Sequence, residues 1–113
     1  MDEYHAAEVI LRHVLQEAER SGARGIRSVK VALGDLSDLT EGGIASAWEG
    51  LSVGTAAAGA PIQFQRIAAQ AQCMNCFRLY QPQGGVIYCP YCGSVGAKII
   101  SGEEFYVEAL DIP

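Results

Sequence analysis

The sequence has no apolar run approaching the roughly 18 residues of a membrane-spanning helix, so no helical span is expected. Basic residues are also scarce: Lys and Arg number 8 against 13 Asp and Glu, giving a formal net charge of -5. Nonspecific binding to nucleic acid or an anionic membrane takes most of its affinity from a basic footprint, and neither partner is expected here. The segment Met1-Asp2-Glu3-Tyr4-His5 shows neither the basic start nor the apolar stretch of a secretory leader, which makes the cytoplasm the expected compartment. Nor does the sequence offer a nucleophile–base pair or a phosphate-binding glycine loop, so an enzyme is not expected.

What is present suits a small packed protein. Half of the 113 residues are hydrophobic and 19% are charged, a composition for one domain or one domain with a small appendage. From Tyr4 to Ser21, the residues Ala6, Val9, Ile10, Val14 and Ala18 recur at helical spacing with polar residues between them, and Ser21-Gly22 ends the run. Residues 28–33 alternate, with Val29, Val31 and Leu33 facing one way and Ser28, Lys30 and Ala32 the other, as in a half-buried strand. Thr40 is placed to cap a second helix whose apolar face is Ile44, Ala47, Trp48 and Leu51. Gly42, Gly43 and Gly50 lower its intrinsic helix propensity, so packing must hold it. Ile62 and Phe64 begin a second strand, and the stretch from Glu104 to Leu110 alternates as a third. Trp48 reads as core, Tyr88 and Tyr91 as packing around the cysteines, and Asp35 and Asp38 as turn residues.

The chemistry lies between the last two strands. Cys73-x-x-Cys76 and Cys89-x-x-Cys92 each put two thiolates on one tight turn, and two such turns close a tetrahedron of sulfur around a metal ion. Pro90 stiffens the second turn and Gly93 follows where close approach is needed, with a connecting hairpin expected at Gly84-Gly85. Four cysteines without an export signal favour metal over disulfides. Zinc and iron both accept four thiolates, and the spacing does not separate them. With all four positions filled by protein, such a site is structural and keeps no open position for hydrolysis.

The phrases around this core form an ordered set: Met1-Asp2-Glu3, Val31-Ala-Leu-Gly-Asp-Leu-Ser37, Ala47-Trp-Glu-Gly-Leu51 before Gly54-Thr55, the two cysteine pairs with Cys89-Pro-Tyr-Cys-Gly-Ser94, and Ser101-Gly-Glu-Glu104. From Met1 to about Leu110 the chain resembles the HypA/HybF family of nickel metallochaperones. The fold class expected, from the residues and the resemblance together, is α+β: a small mixed sheet of about three strands packed by two helices, with an inserted four-cysteine zinc ribbon. The expected domains are residues 1–70 plus 100–113, a nickel-binding type of α/β domain, and residues 71–99, the zinc domain. The resemblance implies nickel as cargo, zinc as a structural ion, a GTPase partner and a hydrogenase large-subunit precursor as recipient.

One position departs from the family pattern. Members resembling this chain begin Met-His-Glu, and the histidine ligates nickel; here the second residue is Asp2, while Glu3 is retained. Nickel(II) favours nitrogen donors, so a carboxylate in place of imidazole predicts a weaker site built from Met1, Asp2, Glu3 and His5. His5 falls on nearly the same side of an incipient helix as residue 2 and stands in reach of the missing imidazole's role. Against this, Asp2 and Glu3 suit a helix N-terminus for its dipole alone, and His5 suits an exposed first turn. The alternative function is a diverged zinc protein serving as an adaptor or scaffold without nickel delivery.

Overall fold

The computed structural model describes residues 1–82 and 88–113. Its elements are α1 (Glu3–Arg20), β1 (Ser28–Gly34), α2 (Glu41–Leu51), β2 (Ile62–Ile67), β3 (Gln70–Cys73), β4 (Leu79–Tyr80), β5 (Ala97–Ser101) and β6 (Phe105–Asp111). Among the described residues these make two helices and two three-stranded sheets, ordered β2-β1-β6 and β4-β3-β5. The chain divides into two compact units, one of Met1–Ala32, Asp38–Gln65 and Phe105–Pro113, the other of Leu33–Ser37 and Arg66–Glu104. The hairpin expected at Gly84-Gly85 lies outside the described residues.

The first sheet is mixed, as expected. The amides of Val29 and Asp35 donate to the carbonyls of Pro61 and Ile67, so β1 and β2 advance in step and run parallel. The amides of Arg27 and Gly34 donate to the carbonyls of Asp111 and Glu104, so β6 runs antiparallel to β1. A parallel pair needs a crossover, and α2 supplies it between β1 and β2. Expected alternation fails at one end of β1: from Val31 to Gly34 every residue is buried, Ala32 included. Ala32 was placed on a polar face, but β1 is the middle strand and is covered on both faces here.

In the first unit, α1 packs on α2 and on β6. Its buried face is Ala6, Ala7, Ile10, Val14 and Ala18, with Val9 only partly covered. The helix ends as expected, with Ser21 at the C-cap and Gly22 at φ 72, a conformation glycine adopts without penalty. On α2, Ile44 and Trp48 are buried, and the Trp48 indole Nε1 donates to the Ala60 carbonyl at 2.9 Å, so Trp48 is core with its polar edge satisfied. Gly43 has a steric reason to be glycine: an added Cβ would lie 2.6 Å from Glu3 Cγ and 2.7 Å from Thr40 Oγ1.

The second unit begins with a backbone crossing. Leu36 donates its amide to the Gly102 carbonyl at 2.7 Å, Asp35 receives Arg66 Nε at 3.0 Å, and the Gly102 amide donates to Glu104 Oε1 at 2.7 Å. Asp35 is therefore a turn residue with an ion pair. A Cβ at Gly34 would fall on the carbonyl of Gly102, backbone that cannot swing aside as a side-chain tip can. Gly102 itself sits at φ 116. Gly34→Ala is expected to destabilise the protein by about 2–3 kcal/mol, as a steric insertion that forces the backbone apart. Urea unfolding followed by far-UV circular dichroism measures it; a midpoint within error of wild type would mean that this crossing yields without cost.

Candidate metal centre

The β3–β4 pair carries the first cysteine turn. Ala71 faces Tyr80 and Gln72 faces Leu79 in antiparallel register, and β5 pairs along the other side of β3, Cys73 opposite Ala97. The turn from Cys73 closes with Phe77 N donating to Cys73 O at 2.9 Å and Cys73 N donating to Arg78 O at 3.0 Å. The second turn repeats this: Gly93 N donates to Cys89 O at 2.9 Å and Cys89 N to Ser94 O at 3.0 Å. Each turn needs a left-handed residue four positions after its first cysteine. Gly93 supplies it at φ 74; it is glycine for this backbone conformation and not for the close approach expected of it, since a Cβ there would meet nothing within 4 Å, while the first turn uses Phe77 at φ 63. A phenylalanine there costs about 1–2 kcal/mol against a right-handed conformation, and its ring is largely exposed.

These turns bring the four predicted ligands together. All four sulfurs lie within 4.8 Å of one another, and the Cys73–Cys92 and Cys76–Cys89 pairs are each separated by 3.6 Å. The cysteines are free thiols. A zinc–sulfur bond of about 2.3 Å in a tetrahedron sets sulfurs about 3.8 Å apart, close to the spacing found. Donors converge on the sulfurs as on thiolates: the amides of Asn75 and Cys76 on Cys73 at 3.3 and 3.4 Å, the amide of Tyr91 on Cys89 at 3.4 Å, and Asn75 Nδ2 on Cys92 at 3.6 Å.

The protonation pattern tells the same story. The amide of Cys76, then that of Asn75, lowers the Cys73 thiol below its usual range. The Ser94 hydroxyl, then its amide, then the Asn75 side chain lower Cys92 from 9.0 to about 5. Cys76 receives a favourable amide from Arg78, yet burial and its neighbours Cys89, Cys73 and Cys92 together raise it to about 11. Thiolates this close repel one another, so without a cation one site must keep its proton. A divalent ion removes the conflict, and the four-cysteine cluster fits a structural zinc.

Elsewhere the expected ligands have other partners. Asp2 is the N-cap of α1, its Oδ1 accepting the His5 amide at 2.7 Å. Glu3 Oε1 accepts from Thr40 N at 3.3 Å and from Thr40 Oγ1 at 3.5 Å, at the point where Thr40 caps α2 by accepting the Gly43 amide at 3.1 Å. The His5 imidazole is exposed, with Nδ1 4.0 Å from Glu8 Oε1. Met1 is exposed as well. Among the described residues, the cysteines form the one cluster of three or more His, Cys, Asp or Glu side chains with metal-ligand spacing. Tyr88 and Tyr91 are both more than half exposed, and the Tyr91 ring carries the Arg78 guanidinium at 4.8 Å from its centroid.

A sequence model described as hydrogenase/urease nickel incorporation, metallochaperone, HypA matches residues 1–112. The chain belongs to the HypA family. It is similar to the hydrogenase maturation factor HypA of Dehalococcoides mccartyi strain CBDB1, 29% identical over 112 residues covering 99% of this chain and 94% of that one. The HypA of Thermococcus kodakarensis is 32% identical over 133 aligned positions, with 99% and 96% covered. Among solved structures, the nickel metallochaperone HypA from Helicobacter pylori matches with a TM-score of 0.69 at 22% identity, covering 99% of this chain and 97% of that one. A second HypA solution structure matches with a TM-score of 0.75 at 20% identity. At those identities the structures speak to fold alone. No described helix is long and apolar enough to cross a membrane.

The thiol pattern predicts a reactivity order in protein stripped of metal. Because Cys92 titrates near 5 instead of 9.0, the stability its thiolate contributes is fully present above pH 9 and is lost as the pH falls through about 5. At pH 7, iodoacetamide is expected to modify Cys92 first and Cys76 last, and added zinc to protect all four, as read by peptide mass spectrometry. Equal rates at the four positions would show that the donor pattern does not survive metal removal.

Proposed function

We propose that this protein is a nickel metallochaperone that assists nickel insertion during hydrogenase maturation, with Cys73, Cys76, Cys89 and Cys92 holding a structural zinc. The family match over residues 1–112 carries this reading. Zinc ties the two cysteine turns into one folded module, and nickel is the cargo, taken at the other end of the sequence by the Met1 amine, Asp2, Glu3 and His5. The nickel-binding domain is residues 1–70 with 100–113, and the zinc domain is residues 71–99. A GTPase and a hydrogenase large-subunit precursor are its partners, the setting is cytoplasmic, and the protein transfers a metal without catalysing a reaction.

The N-terminal ligand set is mixed in character. A terminal amine and an imidazole suit nickel(II), whereas the two carboxylates are harder, weaker donors. Both carboxylates also serve the helices: Asp2 caps α1, and Glu3 reaches the start of α2. Nickel binding through either must compete with a helix N-terminus. That competition favours, as a second reading, a zinc-stabilised adaptor that no longer carries nickel.

Calorimetric titration of zinc-loaded protein with nickel, beside Asp2→His and Glu3→Ala, separates the two. The metallochaperone reading expects one nickel bound at micromolar strength or better, binding abolished in Glu3→Ala, and tighter binding in Asp2→His. A silent wild type beside an Asp2→His protein that binds would hand the function to the adaptor reading.

A further inference from the structure

Beside the cysteines, the second unit holds a cleft of about 650 Å³ with no charged residue, among those described, in its walls. Leu79, Tyr88 and Tyr91 line it and are 48%, 60% and 57% exposed, and Pro82 and Pro90 add stiff apolar wall. The cleft follows β4, which among the described residues is an edge strand paired on one side by β3. An extended peptide is a fitting occupant for such an edge, its backbone pairing with the strand and its side chains filling the hollows alongside.

Arg78 stands at the Tyr91 rim of this cleft, its guanidinium 4.8 Å from the ring centroid. Stacking of this kind uses the flat face of the guanidinium and leaves its N–H edge free. Among the described residues that edge reaches no carboxylate and no cysteine sulfur. Between Ile67 and Gly102 the charged residues are Arg78 and Lys98, and all 13 Asp and Glu lie elsewhere in the chain. A planar guanidinium without a carboxylate of its own suits one supplied from outside. Nucleic acid draws on several cations at once, and this cleft has a single one at its edge. A second copy of the chain, with its net charge of -5, is repelled. Both members of the stack are fixed by the cysteine turns: the Arg78 carbonyl accepts the Cys73 amide at 3.0 Å, and the Tyr91 amide donates to Cys89 Sγ at 3.4 Å. The stack therefore bridges the first turn and the second.

We propose that this cleft docks an extended, apolar, carboxylate-bearing segment of a partner protein. Arg78 takes one carboxylate, and aliphatic side chains of the segment cover Tyr88 and Tyr91. A metal ion in the four-cysteine site assembles the cleft by joining the turns that carry Arg78 and Tyr91. The inference rests on the four cysteines binding metal and is independent of nickel at the N-terminus. A purely structural stack of Arg78 on Tyr91 would tie the turns together and bind nothing.

The test titrates isotopically labelled, zinc-loaded protein with an end-capped peptide of alternating leucine and glutamate, followed by nuclear magnetic resonance up to millimolar peptide. Saturable shifts are expected at Leu79, Tyr88, Tyr91 and the Arg78 Nε. Arg78→Gln should bind about 10–100-fold more weakly, as for loss of a charge-assisted hydrogen bond. Arg78→Lys should lose less, since it keeps the charge but not the planar fork. Lys98→Gln removes a charge outside the cleft and should match wild type; an equal loss there would overturn the site in favour of general attraction. The matching leucine–glutamine peptide should leave these signals in place, and so should the glutamate peptide added to protein stripped of zinc. No shift at these residues, or stronger shifts with a single-stranded oligonucleotide, would overturn the inference while the measured zinc content leaves the metal site standing. Shifts that grow with protein concentration alone would give the cleft to a second copy and overturn it as well. A response undiminished without zinc would overturn the metal's part in assembling the cleft, and failure of wild type to bind zinc would overturn the metal site itself.

Discussion

Four thiol sulfurs held within 4.8 Å of one another are an electrostatic conflict that the peptide alone cannot settle. Backbone amides, the Asn75 side chain and Ser94 draw two of the four thiols toward the thiolate, and each thiolate so formed makes the next harder to form. Cys76 shows the limit, pushed up to about 11 despite an amide that favours its ionised form. Only a cation lets all four ionise together. The turns, the left-handed residues that follow them and the β4-β3-β5 sheet that carries the first turn all serve to hold sulfurs at a separation that repels until metal arrives.

That constraint accounts for features of the module that otherwise look wasteful. Phe77 is strained at φ 63 because the turn must bend there to aim both amides at Cys73, and the chain supplies glycine only at the matching position of the second turn. The amides directed at Cys73 and Cys89 come from within three positions of the sulfur they reach, whereas the Asn75 side chain crosses from the first turn to Cys92 of the second. Tyr80 differs in kind: it comes from the neighbouring strand, and its hydroxyl is buried with no hydrogen-bond partner among the described residues.

Much of this was legible in the sequence because it is periodic or local. The face of α1, its end at Ser21-Gly22, the Thr40 cap, the buried Trp48 and the four ligands all follow from spacings that physical chemistry constrains within a turn or two of chain. What escaped depends on pairing between distant segments. Ala32 is buried on the face that alternation assigns to solvent, because that face is covered too, which the strand's own pattern does not reveal. The short strands β3, β4 and β5 have too few residues for a period to show, and β4 has only Leu79 and Tyr80. Phe77 offers no compositional hint of a left-handed backbone; only its offset from Cys73, matched to that of Gly93 from Cys89, could have pointed to it. Tyr88 and Tyr91 read as packing residues because aromatics usually bury, whereas here one ring face of Tyr91 is used by Arg78.

The N-terminus poses the opposite problem from the cysteine module. There the sequence gathers donors that need a cation; here it gathers potential ligands that already have work. Asp2 holds the first turn of α1 through the His5 amide, and Glu3 spans 37 positions of sequence to reach the Thr40 amide and hydroxyl, with Gly43 leaving room for its side chain. A capping carboxylate contributes about 1 kcal/mol to its helix, so recruiting either residue to a metal costs roughly a factor of five in affinity unless the cap survives. For a structural ion that would be a defect. For cargo it is not, because a metal that must be handed on needs a site whose ligands have somewhere else to go. For the nickel site proposed at the N-terminus, helix caps would supply that alternative within the same unit of the fold, and an aspartate at position 2 would strengthen the cap at the expense of a nitrogen donor.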